Sequence, residues 1–530
     1  TGMTEAGEQG RVMGGDHDGR AQLVQLFEEV HQLQARRRVE IAGRLVGKQK
    51  PRSDHNRPGN RQAPLLATRQ RGGRGRFMLT QPHPGQQLPP VAADLGLRRL
   101  QEAQRQGDVV EHAQMRQQTE ILEDHAHALT HARAIGTAEF ADIPVSDVYG
   151  GPNGFLIEMA TSELEAQGFT PEQINGGGLT IITTVDARMQ QAAIDSAEST
   201  VQRAVDNAYY ITDDEGNRVK PSADDLHVGL ASIDVGTGGI LALYGGPDFV
   251  SNSRNWATTP RYAASTFKVW GAVAGLRNGF GLSSTLRGST YTPEGDTEPV
   301  QNDSAYNYGT VTLQKAIQDS INTSFVDLIA RIPNGTEELI RAANDAGIPE
   351  DDSWAPQVNR MVLGEGEVTA LDNATGYATL AGNGVRNETH IVAEVRDASG
   401  NVVYSGNSEG VQAIETPVAQ DLSYALSGAV AGSTVSAVDG RDVAGKTGTE
   451  GIAVGQDGAT KQITRSAWLC VYTKQIATAV VMVAGDDGNQ NLDVYARPGS
   501  GAFYGAGYPT DVWNSYMAVA TDGLPFVDFD

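Results

Sequence analysis

The strongest constraint on the fold is a set of short apolar runs that stand far apart in the chain. Val228–Val235 and Ile240–Tyr244 flank Gly236-Thr237-Gly238-Gly239, and Ala467–Thr473 and Ile476–Ala484 flank Lys474-Gln475. Runs of this length, apolar and bounded by turn residues, read as buried strands. The Gly-rich connector of the first pair is a hairpin signal. Val443–Thr449 supplies a further strand just ahead of the second pair. One sheet can hold all of them only if two distant parts of the chain come together and the residues between are carried as an insert. That insert has helical spacing at Thr266–Leu276, Thr312–Ile317, Ser324–Ile332 and Leu371–Leu380, the last opened by a capping signature at Thr369-Ala370-Leu371-Asp372. The predicted fold is α+β: an antiparallel sheet flanked by helices, with a large helical insert.

Order is expected to begin near Asp142. Phe155–Gln167 reads as an amphipathic helix stopped by Gly168. Thr170-Pro171-Glu172-Gln173 combines an N-cap, a proline at the first helical position and a glutamine placed for a capping box. Leu179–Val185 is a β-branched run, and Ala187–Tyr209 has helical spacing. Glu394–Gly410 reads as strand, turn, strand. The organisation expected is a poorly structured or non-native basic segment at 1–135, a connector at 136–220, a main domain at 221–520 and a tail at 521–530.

Charge sets the first segment apart. Of 41 basic and 65 acidic residues, residues 1–135 hold 20 and 15, a net of +5 that leaves −29 for the remainder. Eight of the ten histidines also fall there. Tracts such as Arg69–Arg76 and Gln81–Gln87 cannot bury a core. A basic Gly-Arg tract alone is weak support for binding RNA or anionic lipid, and no nucleic-acid partner is expected. The single cysteine excludes a disulfide framework and a multi-cysteine metal site. Cys470 lies in an apolar run and is expected in the core. No run of about 18 apolar residues is present, and no basic region followed by an apolar one opens the chain, so neither a membrane anchor nor a signal peptide is visible.

Three short motifs carry the chemistry: Ser265-Thr266-Phe267-Lys268, Ser320-Ile321-Asn322 and Lys446-Thr447-Gly448-Thr449. A serine hydroxyl is a poor nucleophile without a base. Positions i and i+3 share a helix face, so a helix beginning near Ser265 points Ser265 and Lys268 the same way. To act as base Lys268 must be neutral, which requires its pKa to fall by roughly three units through burial or a nearby cation such as Lys446. Ser320 can relay a proton, and Asn322 can hydrogen-bond an amide. The Ser-x-Asn pattern also occurs at Ser253, Ser399 and Ser405, but only the Ser320 copy lies between the other two motifs. Lys446, with the hydroxyls of Thr447 and Thr449, can grip a carboxylate, while Gly448 permits close backbone approach. The N–H groups of Ser265 and Thr449 are candidates for an oxyanion hole. Each motif alone is weak; a Ser-x-x-Lys arises by chance about once or twice in a chain this long. The ordered set is specific.

With its context, this set resembles the transpeptidase domain of penicillin-binding proteins, which share a fold with serine β-lactamases. The resemblance runs over residues 145–520. It is carried by Tyr262-Ala263-Ala264 before the first motif, Gly309-Thr310-Val311-Thr312-Leu313 before the second, Leu363-Gly364, Tyr377-Ala378-Thr379 and Ala444-Gly445 before the third. It implies a Ser265 acyl-enzyme formed at D-Ala-D-Ala ends of peptidoglycan stem peptides, acylation by β-lactams and no metal or cofactor. It also implies a place on the outer face of the bacterial cytoplasmic membrane, with cell-wall synthesis or division proteins as partners. Gly150–Asp186 resembles the connector that follows a glycosyltransferase domain in class A members. The upstream Glu-Asp-x-x-Phe-x-x-His-x-Gly pattern is not matched at Glu123-Asp124, where His127 and Thr130 replace the aromatic residue and the histidine. Two alternatives share the acylation parts. A serine β-lactamase of class A needs a Glu-x-x-Leu-Asn loop, which Glu337-Glu338-Leu339-Ile340-Arg341 does not provide. A β-lactam sensor needs a signalling tether.

Overall fold

The computed structural model describes residues 148–529, except 213–215, 357, 407–408, 432, 437–439 and 457–458. The expectations for residues 1–135, and for the start of order near Asp142, lie outside the described residues.

The chain enters through α1 (Asn153–Ala166) and α2 (Pro171–Gly176). The capping box at Thr170 forms as expected: its hydroxyl accepts from the Gln173 N–H, and the Gln173 side chain accepts from the Thr170 N–H at 2.8 Å. Strand β1 (Thr180–Thr183) and helix α3 (Ala187–Asn207) follow. Next come β2 (Leu226–Asp234) and β3 (Ile240–Tyr244), the hairpin expected from the sequence.

The insert holds α4 (Lys268–Arg277), α5 (Leu313–Gln318), α6 (Asn322–Arg331), α7 (Gly335–Asp345) and α8 (Ala370–Ala381). Strands β4 (Val392–Arg396) and β5 (Val402–Ser405) pair with β1 in a small antiparallel sheet. Helix α9 (Thr416–Val430) leads to β6 (Ala444–Gln456), β7 (Ala459–Tyr472) and β8 (Ile476–Ala484), and α10 (Tyr508–Ala520) closes the fold.

The main sheet runs β6-β7-β8-β2-β3, antiparallel throughout. Its centre joins the two distant segments, with Ala479 opposite Ala231. The pleat sends alternate residues to opposite faces. Leu469, Val471, Val480 and Leu230 meet α3 and α10 in one core. Cys470, Tyr472, Ala479 and Ala231 face a larger core with α4, α6, α7, α8 and α9. Cys470 is fully buried, as expected. All the described residues fall within a single compact unit.

Two readings need correction. The helix expected from Thr266 opens instead as a 3-10 turn, Ala264–Phe267, and becomes α-helical only at Lys268. The helix expected from Ser324 begins at Asn322, so the third residue of the second motif lies inside its first turn. Helices α7, α9 and α10 have no counterpart among the expectations from sequence.

Candidate active site

The first motif lies where strand pairing gives way to helix. Ala264 adopts φ +50°, a left-handed conformation that costs a non-glycine residue about 1 kcal/mol or more. The surroundings hold it there. The Ala264 N–H donates to Gly364 O at 3.2 Å and the Ala263 N–H donates to Gly366 O at 3.0 Å. Gly364 must be glycine: its φ is +91°, and a Cβ would stand 2.0 Å from Ala264 O. In the 3-10 turn residues i and i+3 eclipse, which stacks Ser265 and Lys268 on one face. Ser265 is half-buried, and its hydroxyl takes no hydrogen bond among the described residues.

Lys268 is 1 % exposed and is ringed by oxygen. Its Nζ lies 2.8 Å from Ser320 O, 3.1 Å from Ser320 Oγ and 2.5 Å from Asn322 Oδ1. Burial, reinforced by repulsion from Lys446, pushes its pKa well below the usual lysine value. The three oxygens suit both protonation states. An ammonium donates to all three; a neutral amine donates to the two carbonyl oxygens and accepts from the Ser320 hydroxyl. A proton can therefore pass between Ser320 and Lys268 without side-chain rearrangement.

The second motif is aimed by its backbone. Thr312 caps α5, accepting from the Lys315 N–H at 3.1 Å. The helix ends at Asp319, and Ser320 takes φ +56° so that the chain can turn into α6. This turn directs both the carbonyl and the hydroxyl of Ser320 at Lys268. Asn322 holds Lys268 through Oδ1 and donates from Nδ2 to Gln301 O at 3.0 Å. Buried Asn302 supports the arrangement: its Oδ1 accepts from Thr323 N–H and Oγ1, and its Nδ2 donates to Gly288 O and Tyr306 O. Asn302 escapes sequence reasoning because a lone asparagine has no pattern.

The third motif occupies the edge strand β6, where Lys446 pairs across from Cys470 and Gly448 from Trp468. Alternation turns Lys446 and Gly448 toward the helical block, and Thr447 and Thr449 away from it. The turn that carries Ser265 packs on this edge: a Cβ at Gly448 would lie 3.2 Å from Ala263 O and 3.2 Å from Thr266 Cγ2. Lys446 is 4 % exposed, donates to Thr447 O at 3.0 Å and has its pKa lowered to about 8 by burial. Thr449 Oγ1 accepts from the Gly505 N–H at 3.2 Å, which leaves its own proton free to donate. Gly505 carries no sequence signal.

All three motifs thus meet where the start of α4, the α5–α6 turn and the β6 edge come together. A cavity of about 1060 Å³, lined by α1, the first turn of α8 and Arg386–Ile391, includes none of their residues.

The family comparison falls on this fold and these three motifs: residues 229–498 match the penicillin binding protein transpeptidase domain, and the chain belongs to that family. It is 31 % identical to penicillin-binding protein 1A of Mycolicibacterium smegmatis over 394 residues, 72 % of this chain and 46 % of that protein. The solved structure of PonA1 from Mycobacterium tuberculosis is 30 % identical, with a TM-score of 0.60, covering 72 % of this chain and 94 % of that one. A structure of the same PonA1 protein with penicillin V gives the same TM-score and identity, covering 96 % of that chain. The chain spans about half the length of the sequence relatives it matches.

Proposed function

We propose that this chain is a serine D-Ala-D-Ala transpeptidase that cross-links peptidoglycan stem peptides and is acylated by β-lactams. One observation carries the reading above all: a buried lysine amine, held below its usual pKa, stands one turn from Ser265 and in contact with both Ser320 and Asn322. In this reading Ser265 attacks the carbonyl of the penultimate D-alanine and Lys268 takes its proton. Ser320 relays that proton to the leaving amine. A second amine then takes the acyl group from Ser265.

Asn322 binds a donor amide, and the free edge of β6 holds the terminal carboxylate, with the Lys446 ammonium on its helical face and the Thr447 and Thr449 hydroxyls on the opposite face. The N–H groups of Ser265 and Thr449 receive the oxyanion, where one donor is typically worth about 3–4 kcal/mol. The transpeptidase domain is assigned to residues 221–520, after a connector at 136–220. The outer face of the cytoplasmic membrane is the proposed location, since the substrate class lies there. Among the described residues no helix is long and apolar enough to cross a membrane.

The test is intact-mass measurement after penicillin treatment. The wild-type chain should gain one adduct that Ser265→Ala lacks. An adduct that persists in the variant would refute the assignment of the nucleophile, and many turnovers of a coloured cephalosporin would point to a β-lactamase instead.

A further inference from the structure

The Ser265 hydroxyl has no hydrogen bond of its own among the described residues, so its aim depends on the backbone on either side. On the N-terminal side the strained Ala264 is tied to the Gly364–Gly366 loop. On the C-terminal side the tie comes from α8. Tyr377, fully buried, donates its hydroxyl to Thr266 O at 3.1 Å. Asn373, also fully buried, places Nδ2 3.4 Å from Thr266 Oγ1, which itself donates to Ala263 O at 2.6 Å. Both residues lie one helical turn apart on the face of α8 that meets this turn. The Tyr377 ring is fixed edge-on by Trp270 of α4 and by Tyr472 of β7.

From this geometry we infer that Asn373 and Tyr377 are positioning residues for acylation: they clamp Thr266 and so fix the direction of its neighbour Ser265. The inference rests on the transpeptidase reading above. Strained turns persist only where the surroundings over-determine them. Releasing one side lets the serine relax away from its reactive placement, and a displacement of about 1 Å is enough to slow a reaction severalfold to a hundredfold. Substrate binding should be spared, because neither side chain belongs to the carboxylate or amide subsites.

The experiment measures acylation by a fluorescent penicillin under single-turnover conditions, separating the non-covalent dissociation constant from the first-order acylation rate. Tyr377→Phe keeps the ring and deletes only the clamp. Its acylation rate should fall about tenfold while the dissociation constant changes less than about twofold. Thr266→Val removes the hydroxyl that links Asn373 to Ala263, and should act on the same rate. The two effects should combine to less than their product, as expected for one shared turn.

Tyr472→Phe is the control. It deletes an equally buried hydroxyl, bonded to Ser423 Oγ at 3.0 Å, that does not touch the turn. Its acylation rate should stay near that of the wild type. An unchanged rate in Tyr377→Phe, or an equal loss in Tyr472→Phe, overturns the inference. A wild-type chain that takes no label overturns the transpeptidase reading and this inference with it.

Discussion

Lys446 is a buried ammonium that no carboxylate neutralises among the described residues; its one hydrogen bond goes to the Thr447 carbonyl. Burial lowers its pKa from 10.5 to about 8. A lysine whose folded pKa lies below its unfolded value costs stability in full below the folded pKa. The cost fades as pH climbs toward the unfolded value. At 1.36 kcal/mol per pKa unit the cost is about 3 kcal/mol at pH 7 and about 2 kcal/mol at pH 9. Lys446→Met fills a similar volume with no charge, so it should stabilise the protein by about those amounts while abolishing β-lactam acylation. Urea unfolding at the two pH values provides the assay, with the midpoint shifting and the slope unchanged. A methionine variant less stable than wild type at pH 7, or a gap that does not narrow by pH 9, would refute the reasoning.

Three further outcomes are expected. Lys268→Arg should lose acylation entirely, because a guanidinium does not deprotonate, while wild-type acylation should rise with pH through the lowered Lys268 pKa and fall above about 8 as Lys446 loses its charge; a rate still rising at pH 10 would contradict the role of Lys446. Gly364→Ala drives a methyl into Ala264 O at a φ of +91°, so it should cost about 3 kcal/mol in thermal or urea unfolding and slow penicillin labelling more than Tyr377→Phe does. Deleting residues 521–530 removes the Thr521, Leu524 and Pro525 carbonyls that receive the buried Arg441 guanidinium, along with Phe529, packed 5.4 Å from Tyr472. That deletion should lower stability by at least about 2 kcal/mol, and an unshifted unfolding curve would show that the segment is dispensable.

Much of the molecule is legible in its amino-acid order alone. The hairpin Leu226–Asp234 and Ile240–Tyr244, the strand Ile476–Ala484 and the capped helix Ala370–Ala381 all follow from apolar period, turn residues and caps, which act over a few residues. The motif residues Ser265, Lys268, Ser320, Asn322 and Lys446 are legible for the same reason: each sits in a short string with a recognisable order. Tertiary contact alone decided the rest. The left-handed turns at Ala264 and Ser320 run against local preference; the first is tied to Gly364 and Gly366, and the second is held by its N–H on Ile317 O and by Lys268 on its carbonyl and hydroxyl. The lowered pKa of Lys268 depends on being enclosed by residues far away in the chain. Asn302, Asn373 and Gly505 have no signature, since a single buried hydrogen bond leaves no periodicity. Local sequence thus marked the main-sheet strands, several of the helices and the motif residues of this protein. Their aim and their charge arise from burial and long-range hydrogen bonds, which exist only once the chain has folded.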